Sequence, residues 1–200
     1  ALASSALAQK AQLEMLRYQL NPHFLFNALN SIRASVDENA GNAKQMITQL
    51  SEFLRYSLLN ESAKKIALRD ELEAVRNYLA IEKIRFEEKL LIEYEIESAA
   101  EDFKVPCFLL NPLVENAIKH GLQTSPKPLQ IKIAARVSEN RLFLEVVNSG
   151  KLQTNSNGNG TKIGLKNVRE RLDKLFGDGG KFELKQDGDF VNAKIEILEK

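Results

Sequence analysis

The sequence predicts an α+β protein in two parts: a helical hairpin, then a mostly antiparallel sheet with helices on one face. Three observations predict it. Up to about residue 59 the apolar residues recur every three or four positions, the helical period. After residue 89 the pattern switches to alternation in several short stretches, the strand period. Between the two regimes lies a polar segment, Asn60 to Lys65, which is the candidate boundary dividing residues 1–62 from residues 63–200.

Residues 7 to 36 form the first predicted helix, because Leu13, Leu16, Leu20, Phe24, Ala28, Ile32 and Val36 fall three or four apart. Pro22 interrupts it: either Asn21 caps a new helix with Pro22 in its first position, or a continuous helix kinks there. Asp37 to Asn42 is a turn. A second helix then carries Met46, Ile47, Leu50, Phe53, Leu54 and Leu58 on one side. A lone hairpin cannot cover such a stripe, and pairing two hairpins into a four-helix dimer would cover it.

Helix resumes at Leu68 and runs to about Glu87. Leu90, Ile92, Tyr94 and Ile96 then alternate, as do Ile131, Ile133, Ala135 and Val137. Leu142, Leu144 and Val146 follow, and later Val191, Ala193, Ile195 and Ile197. Glu139-Asn140 and Asp187-Gly188 stand where hairpin turns belong. Two helices near residues 108–122 and 164–176 separate the strands, so one sheet with helices on one face is the simplest packing. Ser149 to Ile163 is almost devoid of apolar residues and carries Gly150, Gly158 and Gly160, the composition of a functional or disordered loop.

Composition excludes several functions. Lys plus Arg total 28 against 27 Asp plus Glu, so no global field draws the chain to nucleic acid or anionic lipid. The single cysteine, Cys107, excludes an internal disulfide and a multi-cysteine metal site, and its apolar neighbours make it a buried thiol. No run of about 18 apolar residues is present to span a bilayer. Ala1 to Ala8 lacks the basic flank of a signal peptide, and the opening without methionine fits an excised piece of a longer protein.

Three constellations carry chemistry. Asn116, Lys119 and His120 share one helix face. An amide oxygen suits Mg²⁺, and a lysine one turn away supplies charge for a phosphate oxygen. The same stretch also reads as a surface segment in which Glu115 pairs with Lys119. Gly158, Gly160 and Gly164 let successive N–H groups face an anion, with a helix starting at Gly164 pointing its positive end the same way. A solvated loop is the competing reading. Lys162, Lys166, Arg169, Arg171 and Lys174 make the neighbouring helix basic, by default a solvated face. Finally, Gln19, His23 and Asn27 are spaced by four, a polar seam across an apolar helix. Such a seam favours access to His23 over a satisfied core histidine. A neutral imidazole is a competent nucleophile, and Asn27 is placed to orient the ring, but no carboxylate directly follows His23 to act as a base.

Together these segments resemble the LytS-type sensor histidine kinases, whose nucleotide domain belongs to the GHKL ATPase superfamily. The resemblance covers essentially the whole chain. It is carried by Leu20-Asn21-Pro22-His23-Phe24-Leu25-Phe26-Asn27 and by Pro112-Leu113-Val114-Glu115-Asn116-Ala117-Ile118-Lys119-His120-Gly121. Tyr78 to Phe86 and Gly164 to Leu172 also look like family signatures. The resemblance implies a four-helix dimerisation bundle joined to an ATP-binding α/β sandwich of the Bergerat type. It implies that His23 is the phosphoacceptor, that Asn116 holds Mg²⁺, and that Lys119 and His120 lie near the phosphates of ATP. Glu115, Leu165 and Asn167 belong to the same implied ATP site. Asn148 and Gly150 fall where such domains recognise adenine, and the segment containing Gly158, Gly160, Lys162 and Gly164 would be the ATP lid. Tyr78, Glu82 and Arg85 share a helix face, with helix packing favoured over nucleotide contact.

The implied reaction is autophosphorylation of His23 followed by transfer to an aspartate of a response-regulator receiver domain. The implied setting is a homodimer forming the cytoplasmic portion of a membrane-anchored sensor, with no membrane contact by this segment. Alternatives are a nucleotide-binding signalling dimer with weak or no kinase activity, and a GHKL-type ATPase. Two positions depart from the pattern: Asn148 stands where aspartate is common, and Lys162 where a lid glycine is usual.

Overall fold

The structure, a computed structural model, describes residues 22–59, 63–125, 128–152 and 159–199, with side chains at 159–163 left aside. The predicted helical turns before Pro22, and the choice between a cap at Asn21 and a kink, lie outside the described residues.

Helices α1 (Pro22–Glu38) and α2 (Ala40–Leu59) form the hairpin. Their inward faces carry Phe24 and Ala28 on one helix and Ala43, Met46, Leu50, Phe53 and Ser57 on the other. The turn is tighter than the predicted Asp37–Asn42. Helix continues on both sides of Asn39, whose Oδ1 accepts the Asn42 N–H at 3.1 Å. That bond makes Asn39 an N-cap, so one residue does the work of six.

Beyond Lys64 the chain forms β1 (Lys65–Ala67), α3 (Leu68–Phe86), β2 (Leu90–Ile96), a short α4 (Ser98–Glu101) and β3 (Lys104–Pro106). Then come α5 (Asn111–Thr124), β4 (Leu129–Ser138), β5 (Arg141–Ser149), α6 (Asn159–Phe176), β6 (Gly180–Asp187) and β7 (Phe190–Leu198). The main sheet has the order β2-β4-β5-β7-β6. It is mixed: β2 runs parallel to β4, and the remaining neighbours are antiparallel. The parallel pair follows from connectivity, because α4, β3 and α5 lie between β2 and β4 and bring the chain back in the same direction. The two turns are where the residues place them. Glu139 and Asn140 both take left-handed backbone (φ 51 and 59), as a two-residue hairpin requires, and Gly188 does so at φ 55.

Ile131, Ile133, Ala135, Leu142, Leu144, Val146, Ala193, Ile195 and Ile197 point to one face and are buried. Leu68, Leu72, Val75 and Leu79 of α3, with Leu113, Val114 and Ala117 of α5 and Val168 and Leu172 of α6, share that core. The opposite face carries ion pairs such as Lys132–Glu95 and Arg141–Glu196. The sheet is therefore a half-solvated one. Two strand features escape the periodicity. β1 and β3 are a three-residue antiparallel ribbon, and β6 is an edge strand in which only Phe182 and Leu184 are apolar between charged residues.

The hairpin does not stand apart. α3 covers much of its stripe: the rings of Phe24 and Tyr78 lie 4.6 Å apart, those of Phe24 and Phe53 5.5 Å, and those of Phe53 and Tyr78 6.0 Å. Phe26, Leu29 and Val36 of α1 and Ile47, Leu58 and Leu59 of α2 remain exposed.

Candidate functional site: an exposed histidine and a buried amide cradle

His23 is exposed near the start of α1, and Asn27 sits half-buried one turn on. The Asn27 Nδ2 lies 3.2 Å from both ring nitrogens, where its N–H can donate to whichever is unprotonated. The seam predicted from the spacing is therefore real between these two residues. Gln19 lies outside the described residues. Phe24, next in the chain, anchors this end of α1 on Tyr78 of α3.

Tyr78 leads toward the second constellation. Its phenol is pushed well above the usual range by burial, then by the negative charges of Glu82 and Glu115, with Arg85 opposing. Glu82 is itself buried and held by Arg85 Nη1 at 2.6 and 2.7 Å. Burial raises the Glu82 carboxyl and the guanidinium opposes that. Tyr78, Glu82 and Arg85 thus serve helix packing, as their shared face predicts.

Helix α5 carries the rest. Pro112 sits in its first turn, where the missing N–H costs nothing. Glu115 is half-buried, and its Oε1 accepts from Asn111 Nδ2 at 2.9 Å. Asn116 is 8% exposed, Lys119 is exposed and His120 half-buried. Asn111 was not singled out by the sequence; it is 5% exposed with its Oδ1 lacking any protein partner. A buried amide oxygen with nothing to accept is costly unless something completes it.

At the far end of α5 three elements converge. A Cβ on Gly121 would meet Leu129 Cδ1 of β4 at 2.5 Å and Asn148 Nδ2 of β5 at 3.3 Å. Only glycine lets the helix approach this closely. Asn148 is buried, and its Nδ2 donates to the Ser149 carbonyl at 2.8 Å, which leaves the amide oxygen as its acceptor. Gly150 adopts φ +119, and its N–H donates to the Asp189 carbonyl at 2.8 Å. Thr124 Oγ1 accepts from the Lys151 N–H at 2.9 Å, and Gln186 Nε2 donates to the Gly150 carbonyl at 3.1 Å. Asn148, Gly150 and the end of α5 are thus fastened together.

The glycine loop differs from expectation. Helix α6 begins at Asn159 rather than Gly164, so Gly160, Lys162 and Gly164 lie within a helix. Lys162, where a lid glycine is usual, therefore sits in helical backbone that lysine adopts without strain. Glycine in a helix costs about 1 kcal/mol relative to alanine, a penalty that the packing of one helix face overrides. Gly158 lies outside the described residues. A Cβ on Gly164 would stand 3.4 Å from Pro112 Cβ, so the first described turns of α6 face the start of α5. Leu165 packs against the core and Asn167 is half-buried.

The arrangement suits a nucleotide with a divalent cation. α5 offers an amide at Asn116 and a cation at Lys119, while Gly121 lets the helix close onto Asn148 of β5. Among the described residues no cluster of three or more His, Cys, Asp or Glu converges. Among those residues, too, no helix is long and apolar enough to cross a membrane.

An exposed histidine on a hairpin docked to a mixed-sheet domain defines the class of the histidine kinase core. At the level of fold the match is direct. The histidine kinase domain of the blue-light activated histidine kinase from Erythrobacter litoralis EL346 superposes with a TM-score of 0.51 at 16% identity, covering 94% of this chain and 93% of that one. The histidine kinase family profile matches residues 11–90. Sensor histidine kinase YpdA of Escherichia coli (strain K12) is 38% identical over 182 residues, covering 86% of this chain and 32% of the relative. Sensor protein LytS of Enterococcus faecalis (strain ATCC 700802 / V583) is 30% identical over 207 residues, covering 96% and 35%. The chain belongs to the histidine kinase family, with sensor kinases of the LytS type among its relatives. It spans about a third of the length of the curated relatives it matches.

Proposed function

We propose that this chain is the catalytic core of a LytS-type sensor histidine kinase, which transfers the γ-phosphoryl group of ATP to a ring nitrogen of His23. The N–P bond forms as the bond from the γ-phosphorus to the bridging oxygen breaks, and ADP leaves. One observation carries the reading: an exposed imidazole, met by Asn27, stands on a helix whose next residue packs onto Tyr78, within the electrostatic reach of Glu115 beside Asn116.

In this reading Asn116 and phosphate oxygens hold Mg²⁺, which supplies charge neutralisation. Lys119 and His120 meet the phosphates, and Glu115 keeps the start of α5 in place through Asn111. Asn148, through its amide oxygen, and Gly150 take the adenine. The segment through Gly158, Gly160, Lys162, Gly164, Leu165 and Asn167 closes over the nucleotide. Catalysis is mainly positioning and charge neutralisation, as expected for phosphoryl transfer. The division into residues 1–62 and 63–200 assigns acceptor and nucleotide site to different modules. The exposed Phe26, Leu29, Val36, Ile47 and Leu58 support a homodimer through the hairpin. The phosphoryl group then passes to an aspartate of a response-regulator receiver domain. In the whole protein this core would sit on the cytoplasmic side of a membrane-anchored sensor.

Incubation with γ-labelled ATP tests the reading. Acid-labile label on the protein, lost in His23→Gln while nucleotide affinity stays within about twofold, is the expected result. Label that persists in His23→Gln contradicts the acceptor assignment. Steady phosphate release without any phosphoprotein supports a plain ATPase instead.

A further inference from the structure

We propose that Tyr56, Glu71 and Arg171 form a positioning relay, in which the backbone of Cys107–Leu110 links docking of the hairpin to the placement of α5 and α6. The inference goes beyond the proposed reaction but takes its purpose from it, because α5 and α6 carry the nucleotide site in that reading.

The turn before α5 is held from three directions. From α3 comes Glu71, 1% exposed on the same buried stripe as Leu68, Leu72 and Val75. Its Oε1 accepts the Phe108 N–H, and its Oε2 accepts those of Leu109 and Leu110 at 3.0 Å each. Three successive backbone donors converging on one anion form a nest, here filled by the protein's own carboxylate. From α2 comes Tyr56, whose hydroxyl donates to the same Oε1 and whose ring meets Phe108 edge-on at 5.4 Å. From α6 comes Arg171, whose Nη1 donates to the carbonyls of Cys107 at 2.8 Å and Phe108 at 2.9 Å. The N–H groups of the turn thus face one helix and its carbonyls another.

Phe108 sits at φ 57, a left-handed conformation that a bulky residue does not hold by itself. The surrounding contacts hold it there against its own preference, so removing one of them loosens the turn. The turn in turn sets α5, because the Leu110 carbonyl accepts the first helical N–H groups, those of Leu113 and Val114. Asn111 and Asn116 follow within two turns. The buried Glu71 carboxyl is raised by desolvation and restrained by hydrogen bonds, first from Tyr56 and then from the turn. Its four donors include no cation, so losing any one leaves a buried charge less satisfied. Among the described residues Tyr56 is the one donor supplied by the hairpin. Undocking the hairpin therefore weakens the nest, the nest loosens the turn, and the turn loosens its grip on Arg171. Coupling of this kind is reciprocal: loosening Arg171 must weaken hairpin docking by the same factor.

Backbone hydrogen exchange on the whole chain tests the relay, with Tyr56→Phe and Arg171→Lys beside the wild type. The first keeps the ring on Phe108 and removes only the hydroxyl. The second keeps the charge and removes the planar fork. The relay predicts exchange faster by about fivefold or more at the remote end in each case, in residues 164–176 for Tyr56→Phe and in residues 50–59 for Arg171→Lys. Exchange altered only beside the substituted residue, or unaltered throughout, overturns it. Titration of the same proteins with MgATP keeps the two claims apart. Remote exchange that responds in a protein that binds no nucleotide refutes the proposed function and leaves the relay standing.

Discussion

His23 and Asn148 are both polar side chains on amphipathic elements, yet the fold treats them in opposite ways. His23 is exposed, met by Asn27, and surrounded on α1 by apolar residues that also face solvent. Asn148 is 4% exposed, its amide nitrogen is committed to the backbone, and glycine at position 121 lets a helix press against it. A group that must be reached by a second body stays on the surface with loose restraints. A group proposed to recognise a ligand without reorganising is built into the core. In the proposed reaction the difference separates access, which belongs to the hairpin, from preorganisation, which belongs to the sheet domain.

Substitutions that cross this divide should have unequal effects. The largest is expected for Asn116→Ala: loss of the amide proposed to hold Mg²⁺ should lower phosphoprotein formation on the order of 100-fold, measured as initial rate at saturating ATP. Near-normal labelling in that variant would remove Asn116 from the site. Within the hairpin, Met46 is fully buried and Phe26 is 68% exposed. Met46→Ala should cost about 2–5 kcal/mol in denaturant unfolding. Phe26→Ser should leave the unfolding free energy of the single chain nearly unchanged and shift sedimentation toward the monomer. The reverse ranking would show that the hairpin buries the wrong face. Gly121→Ala comes next, since its new methyl meets Leu129; about 1–3 kcal/mol of stability should be lost, with a weaker nucleotide titration. The smallest effect is expected for Asn27→Ala, which removes a surface hydrogen bond worth about 1 kcal/mol. It should slow labelling a few-fold without altering nucleotide affinity, and a change in affinity would tie Asn27 to the wrong site.

Much of this architecture was legible in the residues because hydrophobic period survives folding wherever one face is buried. The hairpin, α3, and the strands around Ile131, Leu144 and Ile195 all have such a face. The exceptions have physical causes. β6 offers only Phe182 and Leu184, because an edge strand buries little. The turn at Asn39 is shorter than its polar composition suggests, because one side-chain cap replaces several backbone bonds. The start of α6 was hidden by its glycines, which tolerate helix but do not advertise it. Site residues followed the same rule. His23 with Asn27, and Asn116 with Lys119, stand out by spacing on one helix face. Glu71 does not, since its partners come from elsewhere in the chain. Asn111 does not either, although its partner Glu115 lies one helical turn on, because burial of its amide oxygen is a property of the packed fold. Glu71 did leave one trace: a carboxylate on the buried stripe of α3, where a charge needs several donors to persist.

The most direct test of the central claim is to map the phosphoryl group after incubation with MgATP, by peptide mass spectrometry under conditions that preserve phosphohistidine. The account predicts modification at His23, abundant in the wild type and nearly absent in Asn116→Ala. Modification at another residue, or equal modification of His23 in both proteins, would contradict the pairing of an exposed acceptor with a buried nucleotide cradle.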